Sequence, residues 1–185
     1  MKISQSKTRE QFPLSYKKII KKTIAKTLVI AIVFLVTLIV LFLSTSTGQV
    51  NSDWLSAITF ILVVIFFFTV LAVYLYQRWY FAVYFYDLTQ DYIVIRKGPI
   101  TPQEITIPYE RIQDVYVDQD LLDRILGLYD VHLSSATISS GMEAHIDGVE
   151  KPAADGLRAV LLQTVSERIS KRRAPVPPQA IPPQA

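Results

Sequence analysis

Two charge-free apolar runs, separated by a short polar loop, dominate the first half of the chain. They cover residues 27–43 and 54–76, and aromatic residues flank the second run at both ends. As helices they would be about 26 Å and about 35 Å long, close to the ~30 Å hydrocarbon core of a bilayer. The pattern therefore predicts a transmembrane hairpin over residues 27–76.

Basic residues predict the orientation of this hairpin. Residues 1–26 contain eight Lys or Arg and one acidic residue, whereas the connecting loop contains no Lys or Arg. The positive-inside rule places both termini in the cytoplasm and the loop outside. A cleaved signal peptide is the rival interpretation. However, the first run exceeds the usual 7 to 15 apolar residues, and no A-x-A site follows it, so a retained anchor is expected.

After the hairpin the apolar pattern changes to that of short strands. Four are predicted, and they favour a small antiparallel sheet or barrel: residues 81–87, 92–96, 104–107 and 112–118. Leu121–Leu126 then predicts one helical turn that ends at Gly127. The apolar side chains of this turn are expected to close one end of the sheet, namely Leu121, Leu122, Ile125 and Leu126.

The last part of the pattern predicts two more strands and a helix. Residues 128–134 and 142–147 alternate between apolar and polar, with a serine-rich loop between them. Apolar residues then recur at helical spacing over 153–170, so this helix is expected to cover the sheet. The predicted fold class is an α+β membrane protein, in which a two-helix transmembrane hairpin precedes a small antiparallel sheet domain with a C-terminal helix.

Composition divides the chain into four parts. They are a basic cytoplasmic arm (1–26), the hairpin (27–76), a cytoplasmic domain (77–170) and a proline-rich tail (171–185) that is expected to be disordered with polyproline II character. The tail is either passive, or a docking peptide, or with Lys171, Arg172 and Arg173 a second patch that touches the membrane. The arm has a net charge of +7 and the cytoplasmic domain one of −6. Five lysines of the arm are candidate contacts with anionic lipid: Lys17, Lys18, Lys21, Lys22 and Lys26.

The order of residues in the cytoplasmic part resembles a known family. The segments YDLTQDYIVIRKGPI, ITIPYERIQDVYVDQDLLDRILGLYDVHL and IDGVEKPAADGLRAVL are similar to the bacterial pleckstrin-homology-like (PH-like) domain of YdbS-type membrane-flanked proteins. The resemblance implies a PH-like split barrel capped by the C-terminal helix. It also implies a larger membrane protein, carrying several copies of the same domain, as a frequent companion. It implies no agreed biochemical activity.

Within the matched segment, a polar group at the entry to a strand is the candidate partner-binding site. The family's strand-entry pattern falls on Tyr109, Glu110, Arg111, Gln113 and Asp114. These side chains either recognise a partner or close a turn, and the sequence leaves both roles open.

No constellation of residues indicates catalysis, a cofactor or a metal. Cysteine is absent, and the two histidines, His132 and His145, lie in strand patterns and are expected to be exposed. A group of aspartates lacks the spacing of a calcium loop and is expected to be solvated: Asp114, Asp118, Asp120 and Asp123. The chain contains no phosphate-binding glycine loop and no G-x-S-x-G motif. A non-enzymatic protein is therefore predicted.

Three functions agree with this pattern. The first is a membrane-anchored interaction module that binds another integral membrane protein with related domains, or a second copy of itself. The second is recognition of lipid headgroups at the inner face of the membrane, which the acidic domain disfavours. The third is a role in export or in resistance to antimicrobial peptides. Nucleic-acid binding is not expected, because the arm lacks interleaved aromatic residues.

Overall fold

A computed structural model describes residues 6–46, 52–135 and 144–173, in which two long helices precede two small sheets and a final helix. The helices are α1 (Lys7–Gln11), α2 (Lys17–Ser46), α3 (Ser52–Val83), α4 (Leu121–Leu126) and α5 (Lys151–Arg173). The strands are β1 (Phe85–Leu88), β2 (Tyr92–Lys97), β3 (Gln103–Pro108), β4 (Ile112–Asp118), β5 (Leu128–Ser135) and β6 (Ala144–Glu150). The predicted serine-rich loop beyond Ser135, the predicted strand start at Met142 and the proline-rich tail beyond Arg173 lie outside the described residues.

Helices α2 and α3 are long and apolar enough to cross a membrane. The most apolar 18-residue stretch of each helix has none of its residues buried within the protein. A core helix of a soluble protein would bury most of such a stretch, so both helices differ from a core helix in this respect. The two helices contact each other, and the rings of Phe34 and Phe66 stack with their centroids 4.4 Å apart.

The second long helix extends further than the sequence predicts. Residues 81–83 were expected to begin a strand, but α3 continues to Val83 and β1 begins only at Phe85. Phe81 and Tyr84 lie three residues apart, and this helical spacing turns both rings toward the core, where they are 8% and 1% exposed. The aromatic composition that suggested a strand therefore belongs to the buried face of a helix end.

The sheets are each three-stranded and antiparallel, in the orders β1-β2-β3 and β4-β5-β6. Alternation along the strands places their apolar positions in one core, as the sequence predicts. In β2 and β3 the buried set is Ile93, Ile95, Ile105 and Ile107. Helix α5 covers this core with residues at helical spacing that are fully buried, namely Ala154, Leu157 and Leu161. The predicted α+β fold class is confirmed.

The N-terminal segment packs against the sheet domain instead of forming a separate arm. Helix α1 contacts β1, and Leu14 forms a bridge to Val149 of β6. The backbone N–H of Ser15 donates to the carbonyl oxygen of Gly148 at 2.9 Å. Residues 6–22 are therefore part of the packed structure through which the hairpin and the sheets meet.

Candidate functional site

Lys18 of α2 is buried in an ion pair with β6. Its Nζ donates to the Asp147 carboxylate at 2.5 Å, and both side chains are at most 5% exposed. Lys22 lies one turn further on and contacts the other oxygen of the same carboxylate at 2.8 Å. Burial alone would raise the pKa of Asp147, but the charges of the two lysines outweigh it and hold this pKa well below its ordinary value. Asp147 therefore remains ionised and joins α2 to the second sheet.

Gly148 makes this contact geometrically possible. It has a φ of +77°, a conformation that favours glycine, and a Cβ at this position would lie 2.7 to 2.8 Å from the aliphatic carbons of Lys18. The stem of Lys18 passes directly over the glycine, and its ammonium lies 3.7 Å from the centre of the Tyr84 ring. The residue next to Asp147 in the sequence is thus small enough for the lysine to reach the carboxylate.

Lys21 of α2 forms a second buried ionic contact, with α4. Its Nζ lies 2.5 Å from Asp123 and 3.0 Å from Asp120, and Asp130 of β5 follows at 3.3 Å. Asp123 is fully buried, which raises its pKa above the ordinary value, and its Oδ1 has no hydrogen-bond partner among the described residues. Burial would raise the pKa of Asp120 as well. Hydrogen bonds from the Asp123 backbone and from Lys21 outweigh this effect, and the pKa of Asp120 is lowered. One ammonium therefore serves three carboxylates.

These contacts correct two predictions from the sequence. Lys18 and Lys21 were candidate membrane-surface residues, but they are 2% and 4% exposed and lie inside the protein. Asp123 was expected to be solvated, but it is fully buried and binds Lys21. The other aspartates of that group, Asp114, Asp118 and Asp120, are exposed as expected, although Asp120 also binds Lys21. The sequence contained a signal for these contacts, namely the opposite net charges of the N-terminal arm and the domain. In the fold, lysines of α2 pair with aspartates of the sheet domain.

Helix α4 turns Asp123 inward and two of its four apolar side chains outward. It ends at Gly127 as predicted, with φ at +69°, but Leu121 and Ile125 are 76% and 71% exposed. The expectation that these two side chains close one end of the sheet is therefore wrong, whereas Leu122 and Leu126 of the same prediction are partly buried. The reason is the ion pair, since Asp123 must face α2 to reach Lys21, and the residues two positions away on either side then point to solvent.

The five predicted partner-binding residues divide into one buried and four exposed side chains. Tyr109 is 1% exposed, its hydroxyl donates to the carbonyl oxygen of Thr89 at 2.9 Å, and burial raises its pKa to about 12. It is a core residue that holds the turn before β4, which is a correction to its predicted role. The exposed residues are Glu110, Arg111, Gln113 and Asp114. They remain available to a partner.

The two histidines are partly buried, contrary to the expectation of exposure. His132 lies in a ladder of stacked rings on the second sheet, with Tyr116 4.9 Å and His145 5.4 Å away between ring centroids. Burial lowers the pKa of His145, so its ring is held in the neutral form.

Near this ladder, ligand atoms of Asp118, Asp130 and His132 lie within 4.8 Å of one another. The Asp130 carboxylate, however, already accepts from the Gly148 N–H at 2.7 Å and faces Lys21. A protein cation thus supplies the countercharge that a metal ion would bring.

These features define the class of protein: a small sheet domain with a covering helix, joined by buried ion pairs to a pair of long apolar helices. The chain belongs to the family described as the bacterial PH domain, which it matches over residues 23–165. The match covers most of the chain, including most of both long helices, and confirms the predicted PH-like character. No curated protein and no solved structure matches the chain. PH domains are generally non-catalytic, and this one is an interaction or binding module.

Proposed function

We propose that this protein is a membrane-anchored, non-enzymatic scaffold of the YdbS type in the bacterial cell membrane. Its PH-like domain binds another integral membrane protein that carries related domains, or a second copy of itself. The observation that carries the proposal is the exposed apolar pair Leu121 and Ile125 on α4. Large apolar side chains that stand together on a rigid surface are typical of the centre of a protein interface.

The position of α4 suits this role because the helix is fixed to the hairpin. Lys21 binds both Asp120 and Asp123, and Lys21 lies about 9 Å along α2 from Thr27, where the first apolar run begins. The exposed pair is therefore held at a constant height near the membrane. A partner in the same membrane would meet it without a search in three dimensions, which raises the effective concentration of the two proteins.

A strand edge continues this surface. In the described part of the chain β4 lies at the edge of its sheet, and its neighbour is β5. Exposed residues run along β4 from the turn before it to α4 after it, and we call this set the β4 surface: Glu110, Arg111, Gln113, Asp114, Tyr116, Leu121 and Ile125. The edge offers backbone hydrogen bonds to a partner strand, and the side chains supply selectivity.

Membrane anchoring is supported by the unburied apolar surface of α2 and α3. Of the predicted membrane-surface lysines, Lys17 and Lys26 are exposed and Lys22 is partly exposed, and these three keep that proposed role. Lys26 lies 5.1 Å from the ring centre of Tyr76, where both helices leave their apolar stretches. The basic residues on this side favour a cytoplasmic location for both termini.

Substitution of the apolar pair tests the interaction. The tagged chain at native expression, purified in mild detergent, is expected to retain a membrane protein partner that mass spectrometry identifies. The amount of partner that copurifies with the double variant Leu121→Gln/Ile125→Gln should be at least tenfold lower, because the variant removes the apolar centre of the contact. Its thermal stability should change little, since both side chains are exposed.

Ile100→Gln is the matched control, because Ile100 is 69% exposed and lies on the turn between β2 and β3. It should retain the partner at the level of the unmodified chain. Equal retention by the double variant would show that α4 is not the docking site. A chain that copurifies with no partner and no second copy would overturn the scaffold proposal.

The absence of cysteine allows a direct test of topology. Single cysteines replace Gln49, which lies between the two long helices in the sequence, and Ser170 near the end of α5. In intact spheroplasts a membrane-impermeant maleimide should label the Gln49→Cys chain, whereas the Ser170→Cys chain should react only after permeabilisation. The reverse pattern would contradict the orientation, and labelling of both chains before permeabilisation would contradict the anchor.

A further inference from the structure

A groove of about 440 Å³ lies where α3 leaves its apolar stretch. It is lined by Arg9, Tyr16 and Ile19 on one side and by Tyr74, Arg78 and Phe81 of α3 on the other. Its volume is in the range of small-molecule sites, and no acidic residue lines it. One of its arginines belongs to the basic segment 1–26 and the other follows the second apolar run, whereas Lys18 and Lys21 of the same basic segment are paired with acidic groups of the sheet domain.

The two arginines of the groove have different tasks. Arg9 donates from Nη1 to the carbonyl oxygen of Tyr84 at 2.6 Å and from Nη2 to that of Phe81 at 3.3 Å. These acceptors lie at the C-terminal end of α3, where carbonyl groups lack helical partners and carry partial negative charge. Arg9 thus positions the groove wall, and part of its charge is already offset there.

Arg78 is the side chain that is available to a ligand. It is exposed and forms no ion pair within the described residues. Its planar guanidinium can donate two parallel hydrogen bonds to a phosphate group. The ring of Tyr16, which is 75% exposed, packs 5.0 Å from that of Phe81 and forms an apolar wall beside it.

The position of the groove relative to the apolar runs indicates which molecule would present a phosphate group to it. Tyr74 belongs to the second apolar run and Arg78 follows that run by two residues, so the groove opens from the apolar stretch into the basic region. If the hairpin is anchored as proposed above, this is the headgroup layer of the bilayer. A phospholipid there presents its phosphate to Arg78 and its acyl chains to the exposed apolar surface of the helices.

A second cleft, of about 690 Å³, lacks this combination. It lies between residues 11–17 and the start of α5, and its charged residues Lys17 and Glu150 lie 3.7 Å apart as an ion pair. Its cation is already partnered, so it offers no comparable site for an anion.

We propose that the groove binds a phosphate group, presented by an anionic phospholipid of the cytoplasmic leaflet, with Arg78 as the contact residue and Arg9 as a positioning residue. This inference rests on the membrane anchoring of the proposed function and does not depend on a protein partner. The groove lies at the junction of the hairpin and the domain, so lipid recognition here needs no pocket within the sheets.

The test is lipid binding by the full chain in detergent, measured by native mass spectrometry. Dioleoylphosphatidylglycerol is titrated against the unmodified chain and against Arg78→Gln. Loss of a charge-assisted hydrogen bond should weaken the first binding step about ten- to a hundredfold. Arg158→Gln is the matched control, since Arg158 is exposed on α5, and it should bind as the unmodified chain does.

Two further titrations identify the ligand. Dioleoylphosphatidylcholine should bind more weakly, because its choline group opposes the arginine charge. Inorganic phosphate should not displace the anionic lipid at equal concentration. Displacement would show that the groove binds free phosphate from solution and not a phospholipid. Equal lipid affinity of Arg78→Gln and Arg158→Gln would overturn the site. A failure of partner capture alone would leave this result intact, so the two proposals are tested separately.

Discussion

Replacement of Asp147 by Asn should destabilise the protein by about 3 to 5 kcal/mol, because it leaves the buried ammonium of Lys18 without its countercharge. Lys22 would then repel Lys18 across the same site. For a chain of this size the loss corresponds to a fall in melting temperature of roughly 6 to 20 °C. The measurement is thermal unfolding of the full chain in detergent, followed by intrinsic fluorescence.

Asp155→Asn is the matched control, because it removes the same charge from an exposed position on α5. Its melting temperature should stay within about 2 °C of the unmodified chain, as is usual for surface substitutions. A comparably small change in Asp147→Asn would mean that the Lys18 contact contributes no net stability.

The pH dependence of this effect follows from the lowered pKa of Asp147. A carboxylate whose pKa is lower in the folded state stabilises the protein above its unfolded pKa of about 3.9, and this contribution disappears as pH falls through the folded-state value. The difference in stability between the unmodified chain and Asp147→Asn should therefore narrow below about pH 4. Burial lowers the pKa of Lys18, and loss of Asp147 should lower it further, so the difference should also narrow as pH rises above neutral. A difference that narrows as pH falls from about 7 to about 5 would contradict the assignment.

Replacement of Lys21 by Met should cost a similar amount, about 3 to 5 kcal/mol, for the opposite reason. It leaves the fully buried Asp123 beside Asp120 and Asp130 without a cation. Because the stem of Met resembles that of Lys, packing is largely retained. Thermal unfolding should show the loss, and α4 should become more sensitive to limited proteolysis because its link to α2 is broken.

The pH signature of Lys21→Met should differ from that of Asp147→Asn. Burial raises the pKa of Asp123 even with Lys21 present, and removal of the ammonium should raise it further. A carboxyl whose folded-state pKa is raised destabilises the protein as pH rises from its unfolded pKa through the folded value. The deficit of Lys21→Met should thus shrink as pH falls from about 8 to about 5. Lys17→Met, at an exposed ion pair, should cost at most about 1 kcal/mol at any pH.

These two variants also test how the sheet domain is connected to the two long helices. Both ion pairs join α2 to the sheet domain, one through β6 and one through α4. If a partner binds the β4 surface, loosening α4 in Lys21→Met should reduce partner capture even though Leu121 and Ile125 are unchanged.

The sequence by itself predicted the elements whose pattern is local. Ile93, Ile95, Ile105 and Ile107 alternate as their strands require, and all four are buried. Gly127 ends α4 in the left-handed conformation, and two uninterrupted apolar runs become two long helices. Each of these outcomes depends on residues within a few positions of one another, so periodicity and turn chemistry suffice to predict them.

Only the tertiary structure decided which polar residues are exposed. Alternation correctly turned Asp147 away from the apolar core of the sheets, but α2 covers that outer face, and the carboxylate is 4% exposed. Asp123 lies on the inner face of α4 because Lys21, more than one hundred residues earlier, approaches from α2. Leu121 and Ile125 are exposed as a consequence.

The composition of the chain determined that it has a positive arm, an apolar hairpin and a negative domain. It did not determine that the arm folds onto the domain, because net charge contains no information on which groups meet. A buried ion pair needs two side chains at about 3 Å with water excluded, and this geometry arises only when sheet, hairpin and N-terminal segment pack together.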